Sequence, residues 1–201
     1  MSLILEGVGH QYDEGRTLFT GIDVTLDVGR SYAVVGPSGS GKSTLLAIMS
    51  GDITPTQGRV IRTPPSKVSW VFQNPHGVAG RTALDHVSLP FMVRGWERAD
   101  AQVHASRLLE EFGLASVQST KFRYLSGGEA QRLMLVRAIA SSPDLLLVDE
   151  PTAQLDRSTA ETVNQSLQRL RGHGCIVVIA THDEGTRASC SDLLDLARAQ
   201  A

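Results

Sequence analysis

Nine consecutive residues, Gly36-Pro37-Ser38-Gly39-Ser40-Gly41-Lys42-Ser43-Thr44, restrict this chain more than any other stretch. Their spacing is Gly, four residues, Gly-Lys-Ser/Thr. The apolar run Tyr32-Ala33-Val34-Val35 precedes them and Leu45-Leu46-Ala47-Ile48-Met49 follows. A strand, a glycine loop and a helix in that order form a phosphate-binding unit of an α/β fold. Gly36, Gly39 and Gly41 lack Cβ, so backbone N–H groups can turn inward and approach a polyphosphate. The helix expected from Gly41-Lys42 aims its unpaired N–H groups and its dipole at the same anion. Lys42 can reach the outer phosphates as a point charge, and the Ser43 hydroxyl suits a magnesium ion that keeps most of its waters.

The 201 residues are 41% hydrophobic and 20% charged, enough for one globular domain with a buried core and a smaller lobe. Net charge is −2 with no lysine or arginine block, which argues against a nucleic-acid-binding face. Cys175 lies in an apolar run and Cys190 in a polar one, without metal-ligand spacing. Two unpaired thiols in a reducing cytosol are expected. No apolar run is long enough to span a bilayer and the N-terminus lacks a signal-peptide core. A soluble protein is expected, meeting a membrane only through a partner.

The start of the chain reads as β structure. Ile22 to Val28 alternates strictly, and Leu3-Ile4-Leu5 with Val8 supplies a neighbour across a turn at Asp13-Glu14-Gly15. Tyr12, taken alone, is a half-buried sheet aromatic. Gly58 to Ile61 predicts a short strand, Pro64-Pro65 a break, and Val68 to Phe72 a strand ending at Gln73, where ligands gather beside a phosphate loop. From Pro75 to Ser142 the pattern becomes helical. Leu84, Val87, Leu89, Phe91 and Met92 form one apolar cluster interrupted by Pro90 and closed at Gly95. Glu97 to Gly113 predicts an amphipathic helix with Val103, Leu108, Leu109 and Phe112 inward. Ser126 and Glu129 fit a capping box, but Gly127-Gly128 in a first helical turn costs about 1 kcal/mol per residue against alanine. Bare N–H groups at that helix start suggest a second anion site. Leu145 to Val148 is a buried parallel strand ending in Asp149-Glu150, whose side chains diverge. Asp156 caps a helix bearing Ala160, Val163, Leu167 and Leu170, and Cys175 to Ala180 is a strand delivering Thr181-His182-Asp183. Strand and helix alternate as in a parallel sheet with right-handed crossovers.

Together these residues resemble the ATP-binding subunits of ABC transporters over essentially the whole chain: Gly36 to Thr44, Gln73, Leu125-Ser126-Gly127-Gly128-Glu129, Leu145 to Glu150, Ala153-Gln154-Leu155-Asp156 and His182. The resemblance implies a P-loop NTPase fold: a mostly parallel central sheet, an N-terminal antiparallel β subdomain and an inserted α-helical subdomain. The core would be 1–74 and 143–201, the helical insert 75–142. It implies an ATPase with ATP and Mg²⁺ as ligands. Tyr12 would stack on adenine, worth roughly 1–3 kcal/mol. Residues Gly36 to Thr44 would cradle the phosphates, and Ser43, Gln73 and Asp149 would hold the metal. Glu150 would polarise the attacking water, His182 would contact the γ-phosphate, and Asp156 belongs to the same site. Ser126, Gly127, Gly128 and Glu129 would complete the site of a partner ATPase subunit in a head-to-tail homodimer or heterodimer. Gln73 and the segment from Pro75 to about Gly95 would form the coupling surface for separate transmembrane permease subunits at the inner face of the cell membrane.

Thr82 to Pro90 resembles the branch serving macrolide export, lipoprotein release and cell division. Departures from the family pattern are Glu129 in place of glutamine, Gln154 in place of a small residue or asparagine, a short segment between Thr54 and Gln73, and an expected end at Ala201 without a regulatory domain. A DNA-repair or translation ATPase of the same class would need long inserts, tandem cassettes or a basic groove. A nucleotide switch without turnover would not need Glu150 and His182.

Overall fold

The structure is a computed structural model that describes residues 2–12, 15, 17–63 and 67–199. Asp13, Glu14 and Pro64-Pro65, assigned above to a turn and a break, lie outside the described residues. Two sheets organise the chain. The first is antiparallel, in the order β2-β1-β4, from β1 (Ser2–Gln11), β2 (Thr17–Asp27) and β4 (Gln57–Thr63). The strand β2 begins five residues before Ile22, and Val28 is exposed beyond its end. The second sheet is wholly parallel, in the order β5-β6-β7-β3-β8. It comprises β3 (Ser31–Val35), β5 (Val68–Val71), β6 (Leu145–Asp149), β7 (Ile176–Ala180) and β8 (Asp192–Asp195). All of β7 is buried, as expected of a central strand covered on both faces.

Helix α1 (Lys42–Ser50) follows β3, and α5 (Arg157–Arg169) and the short α6 (Glu184–Ala188) complete the crossovers. Between β5 and β6 lie α2 (Ala83–Val93), α3 (Arg98–Glu111) and α4 (Gly127–Ala140), so the helical stretch is inserted within the parallel sheet. The apolar residues divide into two cores. One joins the antiparallel sheet, α1 and one face of the parallel sheet; the other joins that sheet's opposite face to α2, α3, α4 and α5.

Two expectations about the insert are corrected. Pro90 lies inside α2 and does not interrupt it. The proline removes one ladder hydrogen bond, but a Thr82–Asp85 capping box and the burial of Ala83, Val87 and Phe91 hold the helix. Leu89 and Met92 face outward, so the supposed single cluster is two-sided. In α3, Val103 is 51% exposed; the buried stripe is Ala101, Ala105 and Leu109, continued by Phe112. Small alanines, invisible to a search for large apolar residues, let α3 sit close to its neighbours.

Candidate functional site

The C-terminal ends of the parallel strands deliver the chemistry to one edge. Beyond β3 lies the glycine loop, beyond β6 Asp149 gives way to Glu150, and beyond β7 come Thr181 and His182. Gly41 is the N-cap of α1, with φ of 94°; a Cβ there would lie 2.9 Å from the Phe19 ring. Only glycine lets the loop settle on β2 at that angle. Lys42 is nearly buried and donates to the Gly36 carbonyl at 3.1 Å. Its ammonium also pairs with Glu150 Oε1 at 3.4 Å. Glu150 Oε2 meets His182 Nδ1 at 2.8 Å and accepts from the His182 backbone N–H at 3.3 Å. Lys42, Glu150 and His182, 140 residues apart at the extremes, thus form one contiguous polar set.

A cleft of about 410 Å³ opens above the loop, lined by Tyr12, Leu18, Ser38, Lys42, Ser43 and Glu150 among others. Tyr12 is half exposed just past β1 and stands over this cleft. Its hydroxyl is 3.2 Å from Thr44 Oγ1, and its ring meets His10 edge-on at 5.3 Å. Irregularities between Val8 and Gln11 turn the end of β1 so that Tyr12 faces the loop. Asp149 is half-buried next to Ser43. Burial raises its carboxyl above the usual range, opposed by a hydrogen bond from Ser43, with Glu150 raising and Lys42 lowering it further. Ser40 Oγ and Asp149 Oδ1 are buried without a partner among the described residues. Unmatched buried polar atoms of this kind suit a bound phosphate and cation. A cradle of backbone N–H groups, one near-buried ammonium and a hydroxyl–carboxylate pair together fit a metal-bound triphosphate.

Other expected residues lie apart. Gln73 is exposed two residues beyond β5 and makes no hydrogen bond or ion pair among the described residues. It shares the sheet edge with the loop, with β6 and β7 between its strand and β3. Asp156 is the N-cap of α5, accepting from Ser158 and Thr159; the Thr159 and Ser158 hydroxyls hold its carboxyl well below the usual range. Ser126 and Glu129 close the expected capping box on α4. Ser126 and Gly127 are exposed and do not line the chain's own cleft. Gly128 has a packing cause inside the chain: a Cβ there would lie 2.1 Å from Thr159 Cγ2. Two residues escaped sequence reasoning, Leu18 in the cleft and buried Gln131, whose Nε2 donates to the Phe72 carbonyl at 3.3 Å, while Thr44, expected in the phosphate cradle, also meets the Tyr12 hydroxyl. Leu18 sits in the run Leu18-Phe19-Thr20, which does not alternate, and Gln131 carries no local signal.

The family model described as ABC transporter matches residues 19–153. The chain is 40% identical over 192 residues to the lipoprotein-releasing system ATP-binding protein LolD of Geobacter metallireducens, covering 86% of this chain and 85% of that protein. It is 36% identical over 200 residues to the ABC transporter ATP-binding protein YbbA of Escherichia coli K12, covering 92% and 88%. Among solved structures it resembles a dimeric ATP-binding cassette in a post-hydrolysis state bound to ADP and Pi. That match has a TM-score of 0.79 and 28% identity, covering 96% of this chain and 93% of that one.

Proposed function

This chain belongs to the ABC transporter family, and from that premise we propose that it is the ATP-binding and ATP-hydrolysing subunit that powers a membrane transporter or envelope complex, in the branch that includes lipoprotein release. The observation that carries the reading is the meeting of Lys42, Glu150 and His182 at the mouth of the glycine cradle. Lys42 and the loop N–H groups bind the phosphates. Ser43, Asp149 and Gln73 would hold Mg²⁺, which would supply charge neutralisation to the phosphoryl group when bound. Glu150 orients the attacking water and takes its proton, and His182 fixes that carboxylate through Nδ1 while its ring faces the terminal phosphate. Tyr12 stacks on the base. Phosphoryl transfer asks mostly for positioning and charge stabilisation, and this set offers both.

The exposed Ser126-Gly127 start of α4 supports a head-to-tail dimer in which each chain completes the other's site. Partner permease subunits dock on the face near Gln73 and α2, placing the chain at the inner side of the membrane. Among the described residues no helix is long and apolar enough to cross a bilayer. The test is ATP turnover by the purified chain, alone and with its co-purified permease. Magnesium-dependent hydrolysis stimulated by the permease supports the reading, and no turnover in either sample overturns it. In the Glu150→Gln background, Ser126→Arg should abolish ATP-driven dimers in light scattering; normal dimers would remove the shared site.

A further inference from the structure

The end of β1 carries Tyr12 to the cleft without an ordinary ladder. Its pairing with β4 shifts between Glu6 and Gly9 and ends at Gly9 and Gln57, and its pairing with β2 shifts on both sides of His10. Past that point a side chain takes over. The Gln11 backbone N–H donates to Oγ1 of Thr56, the residue before β4, at 3.0 Å, and the same hydroxyl donates to the Gly9 carbonyl at 3.3 Å. One hydroxyl thus spans the backbone on either side of His10. Its place is set two residues further on by Gly58. With φ of 71°, Gly58 lies where a Cβ would come within 2.3 Å of the Glu6 and Gly7 carbonyl oxygens, so only glycine brings β4 this close to β1. Tyr12 is then held from three sides: through the Gln11 backbone by Thr56, edge-on by the buried His10 ring, and at its hydroxyl by Thr44. A hydroxyl that merely finishes a sheet edge is the plainer account of Thr56. Thr56 and Gln11 are exposed, however, so water could satisfy both backbone groups. What water would not do is hold Gly9 and Gln11 at one spacing, and that spacing aims the next residue, Tyr12.

We propose that Thr56 is a positioning residue for the nucleotide base: its hydroxyl bridges Gly9 and Gln11 and so keeps Tyr12 over the cleft before ATP arrives. This rests on the reading of Tyr12 as the residue that stacks on the base. Without the bridge Tyr12 samples other positions, and the apparent dissociation constant rises by the inverse of the fraction of molecules that hold it in place. The phosphates, gripped by Lys42 and the loop N–H groups, do not depend on that fraction. The signature of Thr56 is therefore a loss of affinity confined to ligands that carry a base.

The test is titration calorimetry of the full chain with two probes, ATP and inorganic tripolyphosphate, each with magnesium. Tyr12→Ala should weaken ATP binding by about five- to 150-fold, the range expected for one stacked base, and leave tripolyphosphate binding alone. Thr56→Val, which keeps the shape and removes the hydroxyl, should weaken ATP by about three- to tenfold, again with tripolyphosphate unchanged. Thr56→Ser, which keeps the hydroxyl, should restore ATP binding. In the Tyr12→Ala background Thr56→Val should add nothing, because the residue it positions is gone. Equal weakening of both probes would make Thr56 a general support of the fold and overturn the proposal. So would normal ATP binding by Thr56→Val, failure of Thr56→Ser to restore it, or a full additional loss in the Tyr12→Ala background. The Tyr12→Ala arm separates the two levels. If that variant binds ATP as wild type does, base stacking by Tyr12 falls and takes this inference with it; if it binds ATP weakly while Thr56→Val binds normally, only the role of Thr56 falls.

Discussion

Gly128→Ala should destabilise the isolated chain although it replaces glycine with the best helix former. Gly128 is the second residue of α4, is buried, and would place a new Cβ 2.1 Å from Thr159 Cγ2. Carbon atoms pack at about 3.5–4.0 Å, so well over an ångström must be recovered. Thr159 cannot simply rotate, because its hydroxyl donates to Asp156 Oδ2 at 2.6 Å within the α5 cap. The starts of α4 and α5 must then separate. Overpacking of this kind costs about 1–3 kcal/mol, and an overlap this deep belongs at the upper end. Alanine returns about 1 kcal/mol through helix propensity, which leaves a net loss of about 2 kcal/mol. For a chain of this length that is a fall of about 4–8 °C in thermal midpoint. Calorimetry should show that Thr159→Ser, which deletes the methyl group and keeps the hydroxyl, restores the midpoint in the double variant. Gly127→Ala, whose Cβ would meet nothing nearer than Leu155 Cδ2 at 3.4 Å, should melt at or above wild type. A Gly128→Ala protein as stable as wild type, or one that Thr159→Ser does not rescue, would refute the packing argument.

Lys42→Ala should weaken ATP binding about ten- to a hundredfold in titration calorimetry, since a hydrogen bond to a charged group contributes about 1.5–3 kcal/mol. Glu150→Gln should bind ATP, lose about 10²–10⁴-fold in turnover, and accumulate as a dimer in light scattering with ATP; a monomeric, rapidly hydrolysing variant would falsify the assigned role. The Asp85 carboxyl is held below its ordinary value, first by the Thr82 hydroxyl. Its stabilisation is therefore present above about pH 4 and lost as pH falls through the lower folded-state value. Asp85→Asn should flatten that part of the melting curve against pH between about 5 and 2, and an unchanged acid limb would exclude the linkage.

Much of this site was legible because its signals are local. The glycine loop, the continuous apolar run of β6 and the Ser126–Glu129 and Asp156 caps each carry their cause within a few residues, and each formed where expected. Pro90 misled because helix breaking is a local tendency, overridden here by the buried face of α2. Val103 misled because large residues dominate a helical pattern, while alanines set the contact surface of α3. The strand order was not readable, so nothing local announced that β6 and β7 stand between the strand of Gln73 and β3. Gly128 and Thr159 are 31 positions apart, and no sequence period announces that a methyl group of one helix closes the first turn of another.

The segment that follows β6 explains why binding and subunit contact should be linked. Glu150 has φ of 43°, which for a non-glycine residue costs of the order of 1–3 kcal/mol and persists only where neighbours over-determine it. They do: its backbone N–H donates to the Ala180 carbonyl at 2.9 Å, while its carboxylate is divided between Lys42 and His182. Two residues on, Thr152 is buried with its hydroxyl 3.1 Å from that of Thr186. The segment ends at the Asp156 cap, with Leu155 against the Gly127 position. The Glu150 carboxylate and the start of α4, which in the proposed dimer would serve the nucleotide and a partner, are thus joined by a short segment anchored at both ends. In the proposed dimer, hydrolysis at one site would therefore loosen the grip of the same chain on the other, a coupling carried by packing and measurable as reciprocal changes in nucleotide affinity.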